Sequence, residues 1–195
     1  MNIVIIKYNA GNTQSVLFAL ERIGAQATVT DDESLIRSAD RVIFPGVGEA
    51  ATAMQYLREK GLDKVIPTLT QPVLGICLGM QLLCAHSEER DTPCLNIIPV
   101  TVQKFSTANE LKVPQIGWNT IHHLRSPLFN AVPDNSYIYN VHGYYAPESA
   151  YAIALCDYGI RYAAALNKDN FYGIQFHAEK SAATGEQILK NFLSL

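Results

Sequence analysis

The sequence predicts an α/β fold in which a doubly wound, mostly parallel sheet carries an antiparallel extension. Short β-branched runs alternate with helix-period segments from residue 2 to residue 86, and this alternation is typical of a parallel sheet. Glycines stand in the loops that follow these strands, as they do in short strand-to-helix connections. After residue 86 strand patterns follow one another closely, which favours antiparallel strands in the C-terminal part.

The parallel part begins with residues 2–7 (NIVIIK), a continuous apolar run typical of a strand buried on both faces. Apolar residues at helical spacing predict a helix over 13–24, which ends at a glycine. The cluster DDES at 31–34 is a helix-start signal. The further predicted strands are 27–30, 41–44 and 72–76, and the further predicted helices are 49–60, closed by Gly61, and a short one before 72–76.

The C-terminal part is predicted to contain six strands and a closing helix over 184–195. The predicted strands are 97–105, 118–122, 136–142, 151–156, 160–166 and 171–176, of which the last four form an antiparallel meander. The chain length, together with the lack of a repeat or linker, favours one domain over 1–195.

Composition and charge exclude several classes of function. Hydrophobic residues make up 48% of the chain, enough for a core without disulfides or metal ions. The net charge of −3 arises from scattered charges, with no basic patch of the kind that binds nucleic acids. No apolar run is long enough to span a membrane, and the N-terminus MNIVIIKY does not resemble a signal peptide. The four cysteines lack framework spacing, so we expect a cytoplasmic protein with reduced thiols.

The segment PVLGICLGMQLLC (72–84) predicts a strand, a sharp turn and the start of an amphipathic helix, with Cys77 at the turn. This is the arrangement of a nucleophile elbow, in which Gly75 and Gly79 relieve crowding in a strained turn. The first N–H groups of the helix would favour a thiolate at Cys77. The alternative is a buried cysteine with only a structural role.

A cysteine nucleophile needs a base and a group that orients the base. Among the five histidines, His177 follows the predicted strand FYGIQF and is separated by one residue from Glu179. Residues i and i+2 of a strand project to the same side, so this spacing predicts that Glu179 reaches the imidazole. The resulting hypothesis is a Cys77–His177–Glu179 triad, and the alternative for the two C-terminal residues is an exposed strand end. His142 is a second candidate base by position alone.

Attack of a thiolate on a carbonyl group requires donors for the developing oxyanion. The N–H group of Leu78, directly after the cysteine, is the first candidate donor. The sequence PGVG at 45–48 follows the predicted strand 41–44 and would supply further donors, the N–H groups of Val47 and Gly48. Ligands of open α/β sheets bind at the carboxyl ends of the strands, where all of these residues fall. The alternative for PGVG is an ordinary turn between a strand and a helix.

Five segments carry a resemblance to a known family. They are PGVG (45–48), GICLGMQLL (75–83), VPQIGWN (113–119), YNVHGY (139–144) and QFHAEKS (175–181). Together they resemble the class I (triad) glutamine amidotransferases, whose fold is flavodoxin-like. More narrowly, the chain resembles the glutaminase subunits of imidazole glycerol phosphate synthase, an enzyme of histidine biosynthesis, and the likeness runs nearly end to end. VPQIGWN and the Lys-Ser pair after the glutamate favour this subunit.

The resemblance implies that Cys77 attacks the side-chain amide of glutamine, that His177 protonates the departing ammonia, and that Glu179 orients the imidazole. Water then hydrolyses the thioester with the histidine as base. The residues implied to hold the amino-acid part of glutamine are Gly46, Gly48, Gly79, Gln81, His142, Gly143 and Tyr144. On this pattern His142 belongs to the pocket rather than to catalysis. No cofactor and no metal ion are expected.

By the same resemblance, the ammonia passes directly to a cyclase partner with a β/α-barrel fold, in a 1:1 heterodimer. The cyclase would use it to convert a phosphoribulosyl aminoimidazole carboxamide intermediate to imidazole glycerol phosphate and AICAR. Glutaminase activity is expected to stay low until the cyclase binds its ligand, which is a coupling between two sites. The residues expected at the interface are Asn12, Gln115, Ile116, Trp118, Tyr139 and Lys180. For Trp118 the alternative is a place in the core.

Three positions depart from the family pattern. The loop NAGN at 9–12 lacks an initial glycine, Glu49 follows PGVG where a histidine is usual, and Ala178 stands where a proline is usual. None of these departures removes a catalytic atom. Two other functions stay open at this point: a paralogous glutaminase could feed ammonia to a sugar-amination enzyme, and a non-catalytic scaffold could use the same fold.

Overall fold

The computed structural model describes residues 1–9, 11–107 and 111–195. The strands in these ranges are β1 (Ile3–Ile6), β2 (Thr28–Thr30), β3 (Arg41–Gly46), β4 (Val73–Cys77), β5 (Cys84–Ser87), β6 (Thr92–Pro93), β7 (Ile98–Lys104), β8 (Gln115–Ile121), β9 (Ser136–His142), β10 (Tyr144–Pro147), β11 (Ala152–Tyr158), β12 (Ile160–Lys168) and β13 (Phe171–Ile174). The helices are α1 (Thr13–Arg22), α2 (Glu33–Ser38), α3 (Ala50–Glu59), α4 (Leu62–Val65), α5 (Leu78–Leu83) and α6 (Ala182–Leu193). The longest of them, α6, has 12 residues, and none of the helices in the described ranges is both long and apolar enough to cross a membrane.

The predicted α/β architecture is confirmed by the order of the strands. The main sheet runs β2-β1-β3-β4-β13-β12-β10-β7-β5-β6, with β11 paired to β12. Strands β2, β1, β3, β4 and β13 are parallel neighbours. Strands β12, β11 and β10 continue the sheet with antiparallel pairs, so the predicted extension is hydrogen-bonded to the last parallel strand.

The alternation of side chains along β1 divides the core between the two faces of the sheet. Ile3 and Ile5 pack in one hydrophobic cluster with apolar residues of α1 and α6. Val4 and Ile6 pack in another cluster with residues of α3 and α4. Because helices cover both faces, every side chain of β1 is buried, which explains its unbroken apolar sequence.

The helix that follows the cysteine elbow is shorter and less exposed than predicted. The sequence indicated an amphipathic helix beginning at 78–84, whereas α5 ends at Leu83 and Cys84 begins β5. All six residues of α5 are buried, so the helix has no side that faces water and is not amphipathic. Its polar residue, Gln81, instead donates a hydrogen bond of 3.2 Å to the carbonyl oxygen of Tyr144 in β10. The short strands β5, β6 and β10 fall outside the predicted elements.

The antiparallel meander is confirmed only for its later strands. β11, β12 and β13 pair in chain order, but β9 leaves the main sheet and pairs with β8 in a separate two-stranded ribbon. β13 also pairs in parallel with β4, in a register that places Ile174 opposite Ile76. This pairing joins segments that are distant in the sequence, so local spacing and periodicity do not reveal it.

Candidate active site

The carboxyl ends of β3 and β4 and the segment after β13 open onto one cavity of about 280 Å³. The predicted site residues in its lining are Val47, Gly48, Cys77, Leu78, Gln81, His142, Gly143, Tyr144, His177 and Lys180. Three further lining residues were not predicted: Glu89, Pro114 and Val141. The other predicted site residues lie outside this lining: Gly46, Gly79, Glu179, Asn12, Gln115, Ile116, Trp118 and Tyr139. The cavity thus forms where ligands of open parallel sheets are expected to bind.

Cys77 lies at a strained turn between β4 and α5. Its backbone has φ 53° and ψ −110°, a conformation that residues other than glycine rarely adopt and that is expected at a nucleophile elbow. The turn requires a glycine at position 79, because a Cβ there would overlap the carbonyl oxygen of Phe44 in β3. The thiol is buried in the cavity wall, with 7% of the residue exposed. Close packing of β3 against the turn therefore fixes the position of the sulfur.

His177 and Glu179 are paired, although not through the geometry that the sequence analysis assumed. Nδ1 of His177 lies 2.7 Å from Oε1 of Glu179, and both side chains are buried. Residues Ala178–Lys180 form a 3-10 turn, so a turn and not the alternation of a strand brings the carboxylate back to the ring. Arg22 of α1 supports this turn from outside through a hydrogen bond of 3.3 Å to the carbonyl oxygen of Glu179.

Opposing effects set the charge of His177. Burial lowers the pKa of the imidazole and is the largest single effect, but the hydrogen bonds and negative charges of Cys77 and Glu179 together outweigh it. The net result raises the pKa of His177 to about 10. Because Nδ1 is bonded to Glu179, Nε2 is the nitrogen left for the thiol. The imidazole is therefore protonated at neutral pH and can give a proton to a leaving group.

His142, the second candidate base, has a different environment. Its Nδ1 lies 2.8 Å from the carbonyl oxygen of Tyr144, and since a carbonyl only accepts, Nδ1 carries the hydrogen. Its Nε2 lies 3.3 Å from the hydroxyl of Tyr162. Burial lowers the pKa of His142 to about 4 in spite of the hydrogen bond to Tyr144, and the charge of His177 adds to the decrease. His142 is thus a neutral part of the cavity wall whose ring nitrogens are engaged away from the thiol.

A buried glutamine that the sequence analysis did not single out contacts the thiol. Gln175 lies just after β13, and its Nε2 is 3.7 Å from Sγ of Cys77. Its Oε1 accepts a hydrogen bond of 3.0 Å from Nε2 of Gln81, whose other contact is the Tyr144 carbonyl. The predicted substrate residue Gln81 therefore uses its amide hydrogens within the protein. In the sequence, Gln175 could have been noticed as a polar amide in an otherwise apolar predicted strand, two residues before His177.

Val47 and Gly48 of the PGVG loop line the cavity. Gly48 has φ 112°, which residues with a Cβ rarely adopt, and Val47 is 41% exposed. Gly46 pairs with Cys77 in the register of β3 and β4. The hydroxyl of Tyr8 occupies the space where a side chain at position 46 would lie. The loop therefore approaches the elbow more closely than residues with side chains would allow.

Glu49, which departs from the family pattern, links the PGVG loop to another part of the chain. Its carboxylate forms an ion pair of 2.6 Å with Arg90 and accepts a hydrogen bond of 2.6 Å from the hydroxyl of Thr52. The N–H of Ala50 donates to the carboxylate of Glu89 at 2.7 Å. Two adjacent contacts thus join the end of the loop to the segment that carries Glu89.

Glu89 is the one carboxylate among the described residues that line the cavity. Burial raises the pKa of Glu89 and the charge of Glu49 adds to the increase, while the hydrogen bond from Ala50 and the charge of Arg90 oppose it. A partly desolvated carboxylate in a cavity wall suits a cationic group of a ligand. No motif surrounds Glu89 in the sequence, so only its place in the folded chain identifies it.

The predicted interface residues lie mostly on the ribbon formed by β8 and β9. One face of this ribbon is apolar, and we call it the apolar ribbon face. Its exposed residues are Ile116, Trp118, Tyr137 and Val141, and Tyr139 is half-buried between them. Trp118 packs edge-on against Tyr139, its cross-strand neighbour, with ring centroids 5.7 Å apart. Trp118 is 54% exposed, so its alternative place in the core is wrong.

The remaining predicted interface residues have different surroundings. Gln115 projects inward from the ribbon, is buried, and accepts a hydrogen bond of 3.0 Å from the hydroxyl of Tyr162, so its side chain does not belong to the apolar ribbon face. Asn12 precedes α1 and accepts a hydrogen bond of 2.9 Å from the Ser15 hydroxyl. Lys180 is exposed at the rim of the cavity. The alternation of the ribbon therefore decides which of its residues reach the surface.

Comparison with known proteins places the chain in a family. The sequence model described as "Glutamine amidotransferase class-I" matches residues 4–195. Three relatives described as "Imidazole glycerol phosphate synthase subunit HisH" are similar over their full lengths or nearly so. The relative from Bacteroides thetaiotaomicron is 52% identical over 196 residues, with 100% of both chains covered. That from Bacteroides fragilis is 53% identical with the same coverage, and that from Shewanella oneidensis is 47% identical, with 100% of this chain and 96% of the relative covered.

Solved structures share the fold at low sequence identity. A glutamine amidotransferase has a TM-score of 0.76 at 16% identity and covers 98% of this chain and 97% of its own. PurLQS from Thermotoga maritima has a TM-score of 0.70 at 16% identity, with 99% and 97% covered. The chain therefore belongs to the class-I glutamine amidotransferase family, and within it to the HisH subunits of imidazole glycerol phosphate synthase, as its motifs predicted.

Proposed function

We propose that this protein hydrolyses glutamine to glutamate and ammonia and passes the ammonia to the cyclase subunit of imidazole glycerol phosphate synthase in histidine biosynthesis. One observation carries the proposal: a buried thiol at a strained elbow shares an imidazole with a carboxylate 2.7 Å from the ring. The full-length similarity to HisH subunits supports the pathway.

In the first half-reaction, the sulfur of Cys77 attacks the side-chain amide carbon of glutamine. A carbon–sulfur bond forms, the His177 imidazolium gives its proton to the amide nitrogen, and the carbon–nitrogen bond breaks to release ammonia. The enzyme then holds a γ-glutamyl thioester. Glu179 keeps the ring oriented and balances its charge, which is the role of the third group in such triads.

In the second half-reaction, water replaces the thiol. His177, now neutral, takes a proton from a water molecule whose oxygen attacks the thioester carbon, and glutamate leaves as the sulfur departs. Both additions place negative charge on the carbonyl oxygen, and the proposed donors to it are the N–H groups of Leu78, Val47 and Gly48. Leu78 is the first residue of α5, so its N–H has no acceptor within the helix.

The amino-acid end of glutamine is proposed to bind on the side of the cavity formed by β10 and Glu89. The carboxylate of Glu89 is suited to the substrate ammonium group. Gln81, Gly48 and the backbone from His142 to Tyr144 line the same cavity and are proposed to hold the amino-acid part together with Glu89. Gly46 and Gly79 are proposed to contribute to the site indirectly, because their lack of side chains lets β3 pack closely against the cysteine elbow.

The apolar ribbon face is the proposed docking surface for the cyclase, a β/α-barrel protein bound in a 1:1 complex. Val141 belongs both to this face and to the lining of the cavity, so a protein seated on the ribbon would border the site where ammonia is released. Direct transfer matters because ammonia released into water becomes ammonium, which is a poor nucleophile. The cyclase uses the ammonia to form imidazole glycerol phosphate and AICAR. The four free thiols fit a cytoplasmic complex.

Two alternatives share parts of this description. A paralogue that feeds a sugar-amination enzyme would perform the same hydrolysis, but the relatives that match along the full chain carry the name of the imidazole glycerol phosphate synthase subunit. A non-catalytic scaffold would not need the buried array of Cys77, His177 and Glu179. The products distinguish these alternatives from the proposal. A sugar-amination paralogue would not form imidazole glycerol phosphate with the cyclase, and a scaffold would not form glutamate from glutamine.

Replacing the nucleophile separates hydrolysis from cyclisation. With the cyclase bound, Cys77→Ala is expected to lower glutamine-dependent formation of imidazole glycerol phosphate by more than about 10⁴-fold, because the covalent step is lost. With an ammonium salt as nitrogen donor, the same complex should form product at the wild-type rate. Cys94→Ala, which changes a half-buried thiol elsewhere, is the control. Glutamine-dependent turnover by Cys77→Ala would overturn the nucleophile, and a wild-type complex that forms no imidazole glycerol phosphate would overturn the pathway.

Removing the charge of Glu179 should change the titration of His177. The folded protein raises the pKa of His177 to about 10 from ~6.5 in the unfolded chain. The imidazolium therefore contributes fully to the free energy of unfolding below the unfolded value, and this contribution is lost as pH rises through the folded value. In Glu179→Gln this contribution to the free energy of unfolding should be lost at lower pH, because an amide attracts the imidazolium less strongly than a carboxylate does.

The test of Glu179 combines NMR titration of the His177 ring with rate measurements. Glu179→Gln is expected to lower the pKa of His177 and to reduce kcat for glutamine by about 10²–10⁴-fold. Glu59→Gln, a change of an exposed carboxylate on α3, should leave both unchanged. An unaltered His177 titration in Glu179→Gln would contradict the assigned role.

Neutralising Glu89 tests the proposed site for the substrate ammonium group. Glu89→Gln keeps an oxygen that accepts the N–H of Ala50 but loses the charge, so the KM for glutamine should rise by about 10–100-fold with little change in kcat. Glu88→Gln changes the neighbouring exposed carboxylate and serves as the matched control. An unchanged KM in Glu89→Gln would place the ammonium group elsewhere.

Truncation of Trp118 tests the docking surface. Trp118→Ala should raise the Kd of the cyclase complex by about 30-fold or more, as expected for an exposed aromatic residue at the centre of an interface. Isothermal titration calorimetry gives the Kd, and Leu35→Ala on α2, which is 46% exposed, is the control. Equal affinity of Trp118→Ala and the wild type would exclude the ribbon as the main contact.

A further inference from the structure

Three hydrogen bonds link the backbone of Tyr139, the hydroxyl of Ser181 and the backbone of His177. The N–H of His177 donates to the carbonyl oxygen of Tyr139 at 2.9 Å. The N–H of Tyr139 donates to Oγ of Ser181 at 2.9 Å. The hydroxyl of Ser181 in turn donates to the carbonyl oxygen of His177 at 2.6 Å. The bonds form a closed ring in which one hydroxyl group acts as both acceptor and donor.

The ring of hydrogen bonds is buried. Ser181 is 1% exposed and His177 is 3% exposed, so water has little access to the groups that they bond. Without the hydroxyl, the N–H of Tyr139 would lose its acceptor inside the protein, which is more costly than the loss of an exposed hydrogen bond. The carbonyl of His177 would keep only the N–H of Lys180, which lies 3.1 Å away.

Ser181 does not cap α6 with its side chain, although its position before the helix predicts that it would. It directly precedes α6, where a serine ordinarily accepts a hydrogen bond from an N–H of the first helical turn, yet its side chain makes no such bond. The next residue, Ala182, has φ 48°, a left-handed conformation that is unfavourable for alanine. The start of α6 thus departs from local preferences while the hydroxyl serves the turn of His177, and such departures are concentrated at functional sites.

The two sides of Tyr139 face different partners. Its ring packs against Trp118 on the apolar ribbon face, while its backbone N–H and carbonyl bond to Ser181 and His177. β9 therefore contributes side chains to the proposed docking surface, while its backbone is hydrogen-bonded to the turn that carries His177.

We infer that Ser181 is a positioning residue for glutamine hydrolysis, whose hydroxyl holds the backbone of His177 against β9 so that the imidazole stays between Cys77 and Glu179. The inference rests on the proposed function, since the reaction that it serves is the proposed one. It assigns Ser181 no contact with the substrate, and it gives β9 a direct connection to the catalytic histidine.

The test compares Ser181→Ala with Ser181→Thr, which keeps a hydroxyl, in the complex with the cyclase. Ser181→Ala should lower kcat for glutamine by about 10–100-fold with KM unchanged within twofold. Ser181→Thr should recover most of this loss. NMR titration should show a lower pKa of His177 in Ser181→Ala, and hydrogen exchange should show faster exchange of the Tyr139 N–H. Ser136→Ala removes a hydroxyl bonded to the Pro133 carbonyl at 2.6 Å in the first residue of β9 and should change none of these quantities.

Several outcomes would overturn the inference. Wild-type kcat and an unaltered His177 titration in Ser181→Ala would do so, as would an equal loss in Ser181→Thr and Ser181→Ala. If Ser181→Ala does not fold, Ser181→Cys keeps a similar shape with a weak donor, and the same loss and the same titration shift are expected from it. A Kd for the cyclase equal to that of the wild type, measured by isothermal titration calorimetry, shows that each variant is folded and docked. If the wild-type complex itself fails to hydrolyse glutamine, the proposed function fails, which is a distinct result.

Discussion

The site depends on the parallel pairing of β13 with β4. In this register Ile174 lies opposite Ile76, so the chain leaves both strands at the same edge of the sheet, where Cys77 is the last residue of β4 and His177 follows β13. A slip of one residue would turn the side chains of β13 to the opposite face and separate the imidazole from the thiol. Such a slip is opposed by the core, because the hydrophobic clusters on both faces of the sheet include residues of these strands.

The same sheet edge supports one rigid wall and one weakly held wall of the cavity. Behind Cys77 the wall consists of buried groups, including the amide chain from Gln81 through Gln175 to the sulfur. Across from it, the PGVG loop is held at its end by the ion pair of Glu49 with Arg90, whose side chain is 71% exposed. An exposed pair of this kind contributes only about 0–1 kcal/mol. Two of the three proposed oxyanion donors, Val47 and Gly48, therefore lie on the wall that is held less firmly, whereas Leu78 lies in the buried wall.

The ribbon of β8 and β9 lines the cavity with some of its residues and exposes others at the protein surface. Alternation along β9 turns Tyr139 and Val141 outward and Ile138 and His142 inward. His142 therefore enters the cavity wall while Tyr139 stays on the apolar ribbon face. The backbone of the same strand is bonded to the turn of His177 and to Ser181. Opposite sides of one strand thus contact the proposed docking surface and the turn of His177. Glu179 reaches the imidazole because residues Ala178–Lys180 form a 3-10 turn and do not continue β13.

Local sequence patterns predict the α/β class, the cysteine elbow and the two residues that pair at 177 and 179, because apolar periodicity and glycine turns are properties of neighbouring residues. Motifs spread along the chain also indicate the family. Tertiary contacts alone place β13 beside β4, leave Trp118 exposed, and bring Gln175 to the thiol and Glu89 to the cavity. Strand pairing and the burial of polar groups between distant segments depend on the packing of the whole core, which no local pattern contains.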